Sequence, residues 1–339
     1  VTYLALDVSP SSVTAAVWSS AGLVATSTAF AEPTPRAWWT AVETAVVSLD
    51  ADLIAVEALG VSSPWLPVPV AASGEPVSPD DERVEWVVSA RDFVASLLTG
   101  RLATDPTMAS ASGQFSADGV LLGSSPGAPQ RGSTEVLGDL LLPAARRLGL
   151  RSRIPVVTGA TSLVCAVEGA GPAPVVSFGS PVLLAVPVTP PASMPLPDGV
   201  ALRAGGRSYQ VYEAPLHGLT ESLDLLIART GRSRESLASA AAAAAPGTDP
   251  VRAAYESVAS SVASLLAALA PGAPFVYASG VADRAWRSVL PAATGLPLVH
   301  RRVPDVTTCG LAMLVATGVG EHLDRDAANP VLDVDEPFR

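Results

Sequence analysis

The chain has 339 residues, enough for two domains that each bury a core of their own. Its formal net charge of −11 argues against a nucleic-acid phosphate footprint or an anionic membrane surface. No uninterrupted apolar run reaches the ~18 residues of a membrane span. Apolar residues make up 49% of the chain and aromatics only 5%, so the core is expected to be built from Ala, Val and Leu. The two cysteines, Cys165 and Cys309, form no Cys-x-x-Cys pair and are expected as buried thiols. Ala29-Phe30-Ala31 has the look of a leader cleavage site, but no basic segment precedes it and Asp7 interrupts the apolar stretch. A cytoplasmic protein is expected.

In chain order, Tyr3–Ser9 reads as a strand carrying Asp7 near its end, followed by strands over Ser12–Trp18 and Leu23–Ala31. Trp38–Leu49 fits a helix with Trp39, Val42, Val46 and Leu49 on one face. Leu53–Val61 is a further strand, and the five prolines of Ser62–Asp81 predict an irregular or hairpin connection. Helices are expected over Glu85–Leu98, within Val136–Gly149 and over Thr161–Glu168, with an exposed loop over Ser124–Gly132.

The pattern then recurs. Strands over Ala173–Phe178, Val182–Val188 and Ser208–Glu213 precede helices over Leu219–Arg229 and Arg252–Leu269. Tyr255, Val258, Val262, Leu265, Leu266 and Leu269 give the second of these helices an apolar face. Phe275–Ala278 and Leu296–His300 read as strands, and Asp283–Ala293 and Thr307–Thr317 as helices. The acidic tail from Asp324 is expected to be disordered or loosely docked. Strands and helices in this order, given twice, predict an α/β architecture with mixed sheets.

The same segments resemble the FGGY carbohydrate kinases, in particular the xylulokinase-like branch. Leu4–Asp7 through Trp18 resembles the family's first phosphate-binding hairpin, and Ser177-Phe178-Gly179-Ser180 the second. Ala90-Arg91-Asp92-Phe93 through Thr104-Asp105-Pro106 is similar to a signature built around Lys-Asp-Tyr-Leu. Ala278-Ser279-Gly280 through Trp286 resembles the adenosine segment, and Thr308–Ala312 the closing Gly-Ala-Ala helix. The resemblance implies a two-domain actin-like (sugar kinase/Hsp70, ribonuclease H-like) fold. Its expected parts are an N-terminal-like domain over 1–170 with a shortened sugar-binding region, a nucleotide domain over 171–323, and a tail over 324–339. It also implies phosphoryl transfer from ATP, with Mg²⁺, to a sugar. A homo-oligomer or protein partner is left open.

Carried over residue by residue, the resemblance places Asp7 at the metal's water shell and Ser11, Ser12, Gly179, Ser180 and Gly280 around the nucleotide. Several positions depart from the family pattern. Pro10 stands in the first phosphate turn and removes an N–H donor. Ser162 stands where the family's Gly-x-Gly-Asp-Asn-type loop places the general base, and a serine hydroxyl is a poor proton acceptor near neutral pH. Val61-Ser62-Ser63-Pro64-Trp65 lacks the Gln and His of the family's sugar side. The resemblance therefore implies an impaired kinase, or a pseudokinase that senses a nucleotide or metabolite or serves as a scaffold. Read without it, Thr161-Ser162 is a helix N-cap, Asp7 caps the Ser9–Ser12 turn, and His217, His300 and His322 are isolated surface or interdomain residues.

Overall fold

A computed structural model describes residues 1–113, 128–171, 173–178, 182–188, 200–203, 210–216, 219–280 and 282–337. The described chain is a mixture of sheet and helix. Its first part comprises β1 (Thr2–Val8), β2 (Ser12–Ser19), β3 (Gly22–Phe30), α1 (Pro35–Val47), β4 (Val56–Ser62), β5 (Pro67–Val70), β6 (Trp86–Ser89), α2 (Ala90–Thr99), α3 (Pro106–Ala111), β7 (Val136–Asp139), α4 (Leu142–Leu148), β8 (Pro155–Val157) and α5 (Ser162–Ala170). Its second part comprises β9 (Val175–Ser177), β10 (Val182–Val188), β11 (Val200–Arg203), β12 (Gln210–Leu216), α6 (Leu219–Thr230), α7 (Arg234–Ala243), α8 (Pro250–Leu269), β13 (Val276–Ser279), α9 (Arg284–Thr294), β14 (Leu298–Arg301), α10 (Val306–Gly318), α11 (Arg325–Ala328) and β15 (Val331–Asp335).

Two large sheets follow one plan. The first runs β3-β2-β1-β4-β8-β7 and the second β11-β12-β10-β9-β13-β14-β15. In the first, β1 pairs antiparallel with β2 and parallel with β4, which continues parallel to β8. In the second, β9 pairs antiparallel with β10 and parallel with β13, which continues parallel to β14. An antiparallel strand then borders each sheet, β7 on β8 and β15 on β14. The repetition expected from the sequence is thus present across six strands of each sheet, and β11 is an extra strand at the edge of the second.

The chain divides into two units, each with its own core. One holds residues Val1–Gly169, Ala201–Gln210 and Val306–Pro330; the other holds Ala170–Val200, Val211–Asp305 and Val331–Arg339. The first core is made of Leu4, Leu6, Val8, Val42, Leu59, Val61 and their neighbours. The second gathers Val176, Leu184, Tyr255, Val262, Trp286 and Leu298. Helix α10 packs on β1, β4 and β8, so a segment far along the chain completes the first unit.

Local chemistry explains where elements begin and end. Thr34 caps α1 with Pro35 in its first turn, which starts the helix three residues before the expected Trp38. Trp38 is buried, and Trp39, partly buried against the same core, has the Arg147 guanidinium over its ring at 5.7 Å. Ser89 and Asp92 form a capping box, so the stretch expected as one helix from Glu85 is the strand β6 followed by α2. The segment Val136–Gly149 likewise opens with a strand, β7, before α4.

The expectation of a loose C-terminal tail does not hold. Residues 331–335 pair with β14, and Arg287 grips the carboxylates of Asp333 and Asp335, with Nε at 2.8 Å from Asp335 Oδ2. His300 Nε2 lies 2.7 Å from the same Asp335 oxygen. Among the described residues, no helix is long and apolar enough to cross a membrane.

Candidate functional site

Asp7 lies in β1 just before the turn into β2, beside the end of β4 and the start of α5. Two hydroxyls reach its carboxylate. Ser62 Oγ donates to Oδ1 at 2.6 Å from the end of β4, and Ser162 Oγ donates to the same oxygen at 2.6 Å from the first residue of α5. Among the described residues Oδ2 accepts no hydrogen bond. Burial pushes the Asp7 carboxyl up, and the two hydroxyl donors only partly counter it.

Asp7 does not cap the Ser9–Ser12 turn, because that turn closes on itself. Ser9 N–H donates to Ser12 O at 2.8 Å, and the amide of Ser12 donates to Ser9 Oγ at 3.1 Å. The two hydroxyls also meet at 2.8 Å. Two groups that a phosphate cradle needs, the amide and hydroxyl of Ser12, therefore already bond within the turn, while Ser11 is exposed.

The N-cap reading of Thr161-Ser162 holds for one residue of the two. Thr161 Oγ1 accepts from the amide of Val164 and its carbonyl accepts from Cys165, as a cap does. Ser162 instead turns its hydroxyl to Asp7. Its amide donates to Ser63 O at 3.0 Å, tying α5 to the end of β4.

Beneath this surface lies a polar network that the sequence did not disclose. Arg91 is 0% exposed and donates through Nη1 to the carbonyls of Thr158 at 2.8 Å and Gly159 at 3.0 Å. The same nitrogen lies 3.1 Å from Asp105 Oδ1, and Nη2 pairs with Asp92. Burial works against the Arg91 charge, but the two carboxylates outweigh it and hold the guanidinium above the ordinary arginine range. Asp105 also caps α3 and accepts from Ser133 Oγ at 2.6 Å, while Thr107 Oγ1 receives the amide of Thr161 at 2.9 Å. Arg91 thus fixes the loop that delivers Ser162 to Asp7. The available signal was an Arg-Asp pair within an otherwise apolar stretch, which charges adopt when they are buried together. Burial, with the nearby Asp7 and Asp105 carboxylates, pushes the Cys165 thiol well up, so it is an inert core group. Cys309 is buried too, and neither cysteine forms a disulfide.

The second unit holds the other described candidate, Gly280, at the end of β13. It has a left-handed φ of +81°, and a side chain there would meet no atom closer than Phe178 O at 3.9 Å. The space it leaves open belongs to a cavity of about 170 Å³. Ala278, Ala282 and Pro304 line it together with side chains from β14, α9 and β15. A cavity at the C-terminal ends of parallel strands is where open α/β sheets bind ligands. Gly179 and Ser180, the remaining candidates, and His217 lie outside the described residues.

Among the described residues no group of three or more His, Cys, Asp or Glu side chains is placed to hold a metal. A Mg²⁺ ion that keeps its waters and rests on substrate phosphates needs only one or two carboxylates, and Asp7 with a free Oδ2 fits that requirement.

No protein-family model matches the chain, and no curated protein matches it in sequence. Solved structures do. A ligand-bound xylulose kinase from Lactobacillus acidophilus aligns at TM-score 0.83 and 12% identity, over 99% of this chain and 94% of that one. Xylulose kinase from Rhodospirillum rubrum aligns at 0.79 and 17%, over 100% and 94%. Plasmodium falciparum glycerol kinase with ADP aligns at 0.82 and 10%, over 99% and 94%. At such identities the likeness is one of architecture, and on that basis this chain has the mixed α/β, two-domain actin-like fold of the FGGY carbohydrate kinases.

Proposed function

We propose that this protein is a xylulokinase-like carbohydrate kinase homologue in which phosphoryl transfer from ATP to a sugar is impaired. The observation that carries the reading is the hydrogen bond from Ser162 Oγ to Asp7 Oδ1 at 2.6 Å. Position 162 is where the resemblance places the general base. Its serine hydroxyl is a weak proton acceptor, and its own proton is directed at Asp7. Asp7 would hold Mg²⁺ through its water shell; the ion, when bound, would neutralise charge developing on the transferred phosphoryl group. The chain's own residues then orient rather than accept a proton. Ser62 and Ser162 hold Asp7, and Arg91 holds the loop that carries Ser162. The nucleoside would rest at Gly280, and Ser11, Ser12, Gly179 and Ser180 are proposed as phosphate contacts on the resemblance alone.

The test is phosphoryl transfer from Mg-ATP to ketopentoses by the wild type and by Ser162→Asp. A base is worth roughly 10²–10⁴ in rate, so the variant should exceed the wild type by at least about a hundredfold. A wild-type rate of ordinary kinase size, on the order of 1–100 per second, would overturn the reading.

A second reading is a pseudokinase that binds nucleotide without turnover, as a sensor or scaffold. Two separate observations favour it, the open cavity at Gly280 and the hydroxyl in place of a carboxylate at position 162. Saturable Mg-ATP binding by calorimetry, with no product from either protein, would select it.

A further inference from the structure

The cavity beside Gly280 has a wall that neither the sequence nor the resemblance points to, and that wall comes from the C-terminal strand. At about 170 Å³ the cavity is smaller than the ~300–1,000 Å³ of a complete ligand pocket, so it suits one ring system of a larger ligand. Its charged groups do not favour a phosphate. Arg287 is paired with Asp333 and Asp335, and Arg301 donates to Ala170 O at 2.9 Å and to Tyr277 Oη at 3.1 Å. Arg287 is thus committed to two carboxylates and Arg301 to a carbonyl and a phenol oxygen, so neither guanidinium is offered to an anion.

What remains is a slot with small apolar floor residues, Ala278, Gly280 and Ala282. Leu332 of β15 borders the same slot while 68% exposed to solvent. An exposed leucine at the edge of a cavity offers apolar area that a bound ring would remove from water. Leu332 stands at an irregularity of the ladder, between the His300–Asp333 and Arg301–Val331 pairs, in a strand otherwise paired with β14 and anchored through Asp333 and Asp335 by Arg287.

We propose that Leu332 is an affinity-determining residue that packs on the face of a nucleobase held in this slot. The proposal rests on the reading that the Gly280 cavity takes the nucleoside part of ATP.

Calorimetric titration of the full chain with adenosine and with Mg-ATP tests it. Leu332→Asn should weaken both by about fivefold, as expected for loss of a few tens of Å² of apolar contact. Leu332→Phe should retain or tighten binding. Val331→Asn, also exposed on β15 but not bordering the cavity, should leave it unchanged. Unchanged affinity in Leu332→Asn, with the wild type binding, sinks the role of Leu332 and leaves the nucleotide reading standing. Equal losses in Leu332→Asn and Val331→Asn assign the effect to docking of the strand, against the proposal. A wild type that takes up neither adenosine nor Mg-ATP removes the nucleotide reading and this role with it.

Discussion

Asp7 shows how a single carboxylate can be held ready at a cost to the fold. Burial raises its pKa above the ordinary value although Ser62 and Ser162 both donate to it. A raised folded-state pKa means that the folded chain holds this proton more tightly than the unfolded chain. Stability from this group is therefore greatest below the ordinary carboxylate pKa and is lost as pH rises through the raised value. Asp7→Asn keeps an Oδ1 acceptor for both hydroxyls and removes the buried charge. Without divalent metal it should be more stable at pH 7 by ~0.5–2 kcal/mol, the usual return on relieving a functional-site group. Its urea midpoint should also lose part of the wild type's fall between acid and neutral pH. A variant less stable than wild type at pH 7 would show that the carboxylate is favourable where it sits. The same position complicates Ser162→Asp, because a second carboxylate would arrive within contact of the first; like charges so close raise one pKa unless a cation intervenes.

Helices α5 and α10 meet through backbone rather than side chains. A Cβ at Gly310 would lie 1.8 Å from Cys165 O, and one at Gly169 would lie 1.9 Å from Val306 O. Neither obstacle is a flexible side-chain end that could swing away, so the helices would have to separate. Gly310→Ala should cost about 3 kcal/mol or more, at the upper end of overpacking effects. The measurement is chemical unfolding, and a loss below 1 kcal/mol would show that the crossing is looser than this geometry. The consequence reaches the site, because α5 carries Ser162 at its first residue.

The whole molecule is organised by long returns of the chain. Residues 306–330 belong with the first unit and residues 331–339 with the second. The buried α10 packs on β1 and β4, whose ends present Asp7 and Ser62. A fragment of residues 1–170, the boundary suggested by the sequence, would leave that surface uncovered. It should lack a cooperative thermal transition, and joining it by a flexible linker to residues 306–330 should restore one. Cooperative melting of the shorter fragment would contradict this account.

Strand periodicity, turn residues and caps are local, so the sequence by itself determined the β1–β2 hairpin, its recurrence at β9–β10, the apolar face of α8 and the placement of Asp7 at a strand end. The serine at position 162 and the proline at position 10 were equally legible, as departures from a motif. Tertiary structure alone decided what those residues touch. Ser162 and Asp7 are 155 positions apart, and no periodicity reports a bond across that distance. Arg91 meets the carbonyls of Thr158 and Gly159 only because α2 and the loop after β8 are packed together. The acidic tail read as loose because its charges had no local partners; Arg287 and His300, 35 or more residues earlier, supply them and turn the tail into a strand. Local steric and hydrogen-bonding preferences write elements into the sequence, whereas burial brings distant charges together and so determines which of them can act.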